Sequence, residues 1–208
     1  MKLETIMNLV DDLGSDHIHV FGGTYEGGIH LQQVKDEISP CVFEILNNSK
    51  TKNKNFMEIG SAAGGNTHFF NKIFKFDNIT IVDDNNHPKH ELRKTKVLKD
   101  IKHVEIVGNS HSEEILKQVN NLNLKYDIIF IDGDHTYEGV KKDTEMYIHL
   151  LNDNGYVIYH DSVACSNEVG RHTKELTENN DFNLIKVGEY ITKIHQRACG
   201  VVLYQKIK

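Results

Sequence analysis

The sequence predicts a doubly wound α/β fold, in which helices cover both faces of a mostly parallel β-sheet. From residue 56 onward, short β-rich apolar runs alternate with longer segments of helical period. Of the 208 residues, 38% are hydrophobic and 26% are charged, which is enough apolar side chain to bury a core. Because each parallel crossover lays a helix over the sheet, the alternation predicts helices on both faces.

Five apolar runs have the length of a strand. They cover residues 56–59, 79–82, 104–107, 126–131 and 156–159. Between these runs, apolar residues recur at three- and four-residue spacing, which is typical of amphipathic helices. The predicted helices cover residues 66–76, 89–100, 112–121 and 138–151.

The C-terminal part of the chain predicts one more helix and two more strands. The helix is expected over 167–178, and β-like stretches follow at 182–187 and 199–206. The segment between these stretches is too short for a crossover helix, so the two strands are expected to pair antiparallel. The complete prediction is a seven-stranded sheet whose last strand is antiparallel.

The first 50 residues predict a helical segment with a glycine-rich loop. A helix is expected over 2–12, and a second helix is expected to begin at a Ser39 cap and run to about Leu46, because Pro40 fits a first helical turn. The glycine-rich stretch 22–33 suits a lid or a simple connection. We therefore predict an N-terminal helical and lid segment, 1–50, joined to residues 51–208 in one compact domain.

Charge and cysteine content restrict the partners and the compartment. The net charge of −6 argues against nucleic acid as a partner. The basic residues between 89 and 102, Arg93 among them, are interpreted as a solvated helix face. Three cysteines without a CxxC pair favour a reducing compartment. No apolar run approaches the roughly 20 residues that span a bilayer, so we expect a cytoplasmic protein without a membrane partner.

A small-residue turn follows the first predicted strand. The stretch from Glu58 to Thr67 reads Glu-Ile-Gly-Ser-Ala-Ala-Gly-Gly-Asn-Thr and opens a helix. Small residues let a ligand lie against the backbone, although they also suit a purely structural tight turn. Gly60 and Gly64 do not form the GxGxxG spacing of dinucleotide sites, which disfavours NAD.

Two further polar segments end neighbouring strands. Asp83 and Asp84 follow the second strand, where an acidic side chain can accept hydrogen bonds from a ribose. Ser110 and His111 follow the third strand and can contact a base. The alternatives are a solvated loop start for the aspartates and a helix cap for the second segment.

With these residues in order, the chain resembles the class I S-adenosylmethionine-dependent methyltransferases, which have a Rossmann-like fold. The resemblance covers about residues 56–206 and implies that residues 51–208 form the cofactor-binding domain. It implies that the methionine end of S-adenosylmethionine binds at the glycine turn, its ribose at the end of strand two and its adenine after strand three. The implied S-adenosylmethionine contacts are Glu58, Gly60, Ser61, Ala62, Gly64, Asn66, Asp83, Asp84, Ser110, His111 and Asp132.

The motifs Ile-Asp-Gly-Asp-His, 131–135, and Tyr-His-Asp, 159–161, are similar to a narrower subgroup. It includes cephalosporin hydroxylase-like proteins and the macrocin-type sugar and catechol-type O-methyltransferases. The resemblance implies a divalent metal on Asp132 and Asp161, with His160 or Ser162 at the neighbouring position. Carboxylates suit Mg²⁺ or Mn²⁺, an imidazole shifts the preference toward Mn²⁺, Fe²⁺ or Zn²⁺, and the alternative is a site without metal. A cation there lowers the pKa of a substrate hydroxyl. His135 is the expected general base beside Asp132.

The resulting hypothesis is an enzyme that methylates a hydroxyl of a sugar, a phenol or a natural-product scaffold. One alternative is a nicotinamide-dependent oxidoreductase, which would bind NAD. Another is a non-catalytic S-adenosylmethionine-binding protein, which would keep its cofactor when Asp132 and His135 are changed. The sequence is compatible with a homo-oligomer.

Overall fold

The computed structural model describes residues 1–14, 28–52, 54–192 and 198–208, and seven strands of this part of the chain form one sheet. The strands are β1 (Asn55–Ile59), β2 (Asn78–Asp83), β3 (Val104–Val107), β4 (Tyr126–Ile131), β5 (Leu151–His160), β6 (Leu184–Tyr190) and β7 (Val201–Lys206). Their spatial order is β3-β2-β1-β4-β5-β7-β6. Strands β1 to β5 pair in parallel, and β7 lies antiparallel between β5 and β6. The predicted sheet is confirmed.

The described part of the chain also contains six α-helices. They are α1 (Leu3–Leu13), α2 (Lys35–Asn48), α3 (Gly65–Phe74), α4 (Glu113–Asn121), α5 (Tyr137–Tyr147) and α6 (Val169–Asn179). No helix among the described residues is long and apolar enough to cross a bilayer.

The helices divide between the two faces of the sheet and form a separate apolar cluster on each. Helices α1, α2 and α3 cover one face, where Ile38 and Phe70 pack with buried residues of the strands. Helices α4, α5 and α6 cover the other face through Ile115, Tyr147 and Leu176. Burial of both sheet faces explains why the central strands read as continuous apolar runs.

Helix α2 begins earlier than the sequence predicts. It starts at Lys35, so Ser39 lies inside the helix and is fully buried, and the predicted Ser39 cap is wrong. Pro40 is also interior, although proline removes one backbone donor from a helix. Residues Ile38 and Val42, four apart, are both fully buried, and their burial stabilises a helix that continues through the proline.

The segment predicted as a helix over 89–100 is largely irregular. Its regular core is a π-helix at Arg93–Val97, closed by a hydrogen bond from Leu98 N to Arg93 O at 2.8 Å. A π-turn is wider than an α-turn, so Arg93, Val97 and Leu98 can all point inward, and all three are buried. The prediction of a regular solvated helix is therefore wrong here.

Helix α2 is tied to the C-terminal strand pair by one buried carboxylate. Glu37 is fully buried and accepts backbone hydrogen bonds from Thr192 N at 3.0 Å and Gly200 N at 2.9 Å. Residues 192 and 200 follow β6 and precede β7.

Of the predicted lid, 22–27 lies outside the described residues.

Candidate cofactor and catalytic site

A cavity of about 880 Å³ opens where β1 to β5 end, and its size suits a small-molecule site. Ligands bind at this carboxyl edge in open α/β sheets. The cavity brings together all predicted site residues except Gly64. Those that line it are Glu58, Gly60, Ser61, Ala62, Asn66, Asp83, Asp84, Ser110, His111, Asp132, His135, His160 and Asp161.

The glycine turn after β1 packs tightly against the chain that follows β4. Gly60 has a φ of +79°, and a Cβ at this position would lie 2.2 Å from the carbonyl oxygen of Asp132. A side chain would thus separate the two halves of the cavity. Gly64 lies at the start of α3 with a φ of +84° and faces Leu98, outside the cavity lining.

Glu58 organises the turn from inside. It is 1% exposed and accepts hydrogen bonds from Ser61 Oγ at 2.7 Å, from Asn66 Nδ2 at 2.8 Å and from the hydroxyl of Thr67. Burial raises the pKa of the Glu58 carboxyl to about 6. The three donors hold the carboxylate in one orientation at the cavity wall.

Asp83 holds the same turn from the neighbouring strand. Its Oδ2 accepts the backbone N–H of Ser61 at 2.7 Å and of Ala62 at 3.0 Å. Arg93 lies 3.2 Å away, has a fully buried side chain, and also pairs with Glu105 at 2.8 Å. Burial opposes ionisation of Asp83, but Arg93 and the backbone donors outweigh it and lower the Asp83 pKa. Arg93 is therefore a buried counterion, and its prediction as a solvated residue is wrong.

Asp84 presents a different environment from Asp83. Asp83 is 7% exposed, and its oxygens contact the turn and Arg93, whereas Asp84 is exposed at the cavity. The backbone N–H and side-chain amide of Asn86 donate to Asp84 at 2.9 and 2.7 Å. Of the two aspartates, Asp84 is the one that a ligand can reach from solvent.

Helix α5 fixes the segment after β3. Tyr147 donates from its hydroxyl to the carbonyl oxygen of Ser110 at 2.7 Å. One turn earlier, buried Asp143 places Oδ1 3.2 Å from His111 Nε2 and raises the His111 pKa. Both contacts orient the segment toward the cavity. Tyr147 is absent from the predicted site residues, because its spacing in the sequence indicates only an apolar helix face.

Four titratable side chains meet at the ends of β4 and β5. His135 bridges two carboxylates: its Nε2 lies 3.1 Å from Asp132 Oδ1, and its Nδ1 lies 3.4 Å from Asp161 Oδ2. His160 Nδ1 lies 3.1 Å from Asp132 Oδ1 and 3.5 Å from Asp161 Oδ1. Asp161 has a φ of +62°, a conformation that non-glycine residues rarely adopt outside functional sites and turns.

The pKa values within this cluster follow from the pairing. Burial would raise the pKa of Asp132, but His160 and His135 lower it to about 2. Burial would lower the pKa of His160, but the neighbouring carboxylates raise it to about 9. The hydrogen bond to Asp132 likewise raises the pKa of His135. The Asp132 carboxylate and the two imidazoles thus stabilise one another's charged forms.

The cluster fits a divalent cation. Asp161 Oδ1 is buried and accepts no hydrogen bond within the described ranges of the chain. In those ranges, two groups bring their ligand atoms within 4.8 Å of one another: His160 with Asp161 and Cys199, and His135 with Asp161 and Cys165. Oxygen, nitrogen and sulfur donors are therefore within reach of one ion.

Comparisons with known proteins identify the fold and the family. A curated relative, an uncharacterized protein of Acanthamoeba polyphaga mimivirus, is 24% identical over 150 residues, covering 69% of this chain and 62% of its own length. The structure of the methyltransferase MycE from the mycinamycin pathway, with Mg, S-adenosylhomocysteine and mycinamycin VI, superposes with a TM-score of 0.65 at 16% identity. That match covers 98% of this chain and 54% of MycE.

An O-methyltransferase from Bacillus cereus with bound S-adenosylhomocysteine gives a TM-score of 0.63 at 13% identity, over 99% of this chain and 90% of its own. The chain thus spans less than two thirds of the length of the mimiviral relative and of MycE. The family model for methyltransferase domains matches residues 57–162, about half of the chain, and includes the glycine turn, Asp132 and Asp161. The chain therefore belongs to the methyltransferase domain family and has the fold of the class I S-adenosylmethionine-dependent methyltransferases.

Proposed function

We propose that this protein transfers the methyl group of S-adenosylmethionine to a hydroxyl of a small molecule, such as a sugar, a phenol or a natural-product scaffold. The observation that carries the proposal is one continuous cavity that contains both the glycine turn and the Asp132–His135–Asp161 cluster. Methyl transfer needs the acceptor oxygen in line with the sulfonium methyl, and holding both in one cavity supplies that proximity.

The acidic lining suits the cofactor. S-adenosylmethionine carries a positive sulfonium and a positive ammonium group, and the cavity presents Glu58 and Asp84 among other carboxylates. We place the methionine end at Glu58, Ser61 and Asn66, the ribose at Asp84, and the adenine at the segment that Tyr147 and Asp143 orient. The bound cofactors named for MycE and the Bacillus cereus enzyme support the same class of ligand here.

His135 is the proposed general base. Its side chain is 37% exposed, so it reaches the cavity, while Asp132 and Asp161 orient the ring. In the neutral imidazole, one ring nitrogen turns from its carboxylate to the acceptor and takes the hydroxyl proton, and the oxygen lone pair forms the new bond to the methyl carbon. The bond between carbon and sulfur breaks, its electrons stay on sulfur, and S-adenosylhomocysteine leaves. His135 must first lose the proton that its carboxylate neighbours favour.

Asp132, His160 and Asp161 would hold a divalent cation, which would lower the pKa of the acceptor hydroxyl when bound. The carboxylates suit Mg²⁺ or Mn²⁺, whereas the imidazole extends the choice to Fe²⁺ and Zn²⁺. The odd number of cysteines and the lack of a CxxC pair support the reducing cytoplasm as the compartment.

Calorimetric titration of the metal-stripped protein tests the proposal. S-adenosylmethionine and S-adenosylhomocysteine should bind, and NAD should not. The variant Asp84→Asn should weaken both sulfur ligands, while the surface control Asp100→Asn should not. Binding of NAD alone would instead support an oxidoreductase. Cofactor binding without methylation of any acceptor in a panel of hydroxyl compounds would support a non-catalytic binding protein.

A further inference from the structure

We propose that Cys199 is a ligand of the divalent cation, together with His160 and Asp161, and that the site therefore selects Zn²⁺ over Mg²⁺. The inference rests on the metal site of the proposed function and adds a residue that the motifs do not contain. It narrows the choice of ion to one that accepts sulfur.

The ligand atoms of these three residues already converge. All lie within 4.8 Å of one another, and His160 Nδ1 is 3.5 Å from Asp161 Oδ1. Ligands about 2.0–2.3 Å from a tetrahedral zinc ion are roughly 3.3–3.7 Å apart. The separation between His160 and Asp161 falls within this range, and His160 Nδ1 would exchange its contact with Asp132 for the ion. Cys199 lies within 4.8 Å of both and would move closer.

Asp161 Oδ1 is buried, and it lies 3.5 Å from the His160 ring, as an ion pair without a hydrogen bond. Asp161 is 3% exposed, and its Oδ1 accepts no hydrogen bond among the residues that the structure describes. A buried carboxylate oxygen without a hydrogen bond is poorly compensated for its lost hydration, and a cation bound there would supply the close contact. Asp161 also lines the cavity together with His160 and Cys199.

The backbone holds Cys199 at this place. Its carbonyl oxygen accepts the N–H of Val163 at 2.8 Å and of Ala164 at 3.0 Å, so it is attached to the segment after β5. The next residue, Gly200, has a φ of +84°, and a Cβ there would lie 2.5 Å from Ser162 Oγ. Glu37 accepts the Gly200 N–H at 2.9 Å. A ligand fixed by its backbone loses little freedom on binding an ion.

The second cysteine near the cluster is a weaker candidate. Cys165 lies close to His135 and Asp161, but it packs against the apolar core and does not line the cavity. Both ring nitrogens of His135 already face carboxylates, and this side chain is the proposed base. The geometry thus favours Cys199 and makes Cys165 a matched control.

The chemistry of the ligand atoms determines which divalent cation the site prefers. Mg²⁺ takes oxygen ligands in near-octahedral geometry, whereas a thiolate beside an imidazole and a carboxylate is a set that Zn²⁺ or Co²⁺ accepts. Co²⁺ can stand in for Zn²⁺ and reports a bound thiolate through a charge-transfer absorption band in the near ultraviolet. This band does not depend on catalysis.

The experiment titrates the metal-stripped full chain with Co²⁺ and follows absorption and heat, in wild type, Cys199→Ser and Cys165→Ser. Circular dichroism checks the fold of each variant, and a separate titration measures S-adenosylhomocysteine binding. We expect the band in wild type and Cys165→Ser, and its loss in Cys199→Ser with Co²⁺ affinity reduced by about 10-fold or more. Zn²⁺ should bind wild type more tightly than Mg²⁺.

Three results would overturn the inference: no band or no Co²⁺ binding in wild type, a band that survives Cys199→Ser, or a band lost in Cys165→Ser. Equal affinity for Zn²⁺ and Mg²⁺ would also contradict it. Failure of S-adenosylhomocysteine to bind wild type would instead contradict the proposed function, so the two failures are distinguishable.

Discussion

A buried histidine makes the stability of this protein sensitive to acid. His172 on α6 is 4% exposed, its Nε2 lies 2.9 Å from Thr144 Oγ1, and its ring packs edge-on against Tyr159 with centroids 5.8 Å apart. Burial lowers the pKa of His172 from 6.5 to about 4. The neutral ring is thus the form that the folded state accommodates.

The size and sign of the effect follow from this shift. As pH falls below 6.5, the unfolded chain takes up a proton at residue 172, whereas the folded chain does so only near pH 4. Stability is therefore fully present above pH 6.5 and decreases as pH falls toward the folded pKa. At about 1.4 kcal/mol per pKa unit, the loss between about pH 7.5 and about pH 4.5 is about 2.5 kcal/mol.

Urea unfolding of wild type and His172→Gln across this range measures the effect. The glutamine amide can reach Thr144 but does not titrate, so the free energy of unfolding of wild type should fall by about 2.5 kcal/mol relative to the variant. Thr144→Val is the control: it removes the hydrogen bond but keeps the histidine, and its pH dependence should remain. A wild-type minus His172→Gln difference that stays constant with pH would refute the reasoning.

Three further changes test the cofactor half of the site. Arg93→Met should destabilise the fold by about 3–5 kcal/mol, measured by urea unfolding, since it leaves the buried Asp83 carboxylate without its counterion; unchanged stability would contradict the buried pair. Tyr147→Phe should weaken S-adenosylhomocysteine binding in calorimetry while costing only about 1 kcal/mol of stability, because only the hydrogen bond to Ser110 is lost. Gly60→Ala should abolish cofactor binding, and a variant that folds and binds normally would show that the close approach to β4 is unnecessary.

The sequence predicts the central strands well because burial on both faces makes them contiguous apolar runs. It predicts β5 only from residue 156, whereas the strand begins at Leu151, which pairs with Tyr126 before a register shift. Residues 152–154 are polar, so the apolar run that predicts the strand does not include them. Strand pairing across a bulge depends on the neighbouring strand and not on local apolar pattern.

Some of the site residues are likewise predictable from the sequence, and others are not. Asp132 and Asp161 follow apolar strands, and the carboxyl ends of neighbouring parallel strands meet, so their proximity is predictable. Arg93 and Cys199 reach the site from segments without a motif. The position of Arg93 depends on an irregular π-turn, and that of Cys199 depends on backbone hydrogen bonds to the segment after β5. Apolar periodicity predicts neither of them.

The contact between Glu37 and the two ends of the β6–β7 connection affects how this chain can be shortened. A chain that begins at residue 51 would keep all seven strands, yet the N–H groups of Thr192 and Gly200 would lose their acceptor, and one sheet face would lose α1 and α2. Cys199 lies between those two donors. The N-terminal helices therefore belong to the smallest unit that can keep the cavity intact, and mapping of minimal active fragments should retain them.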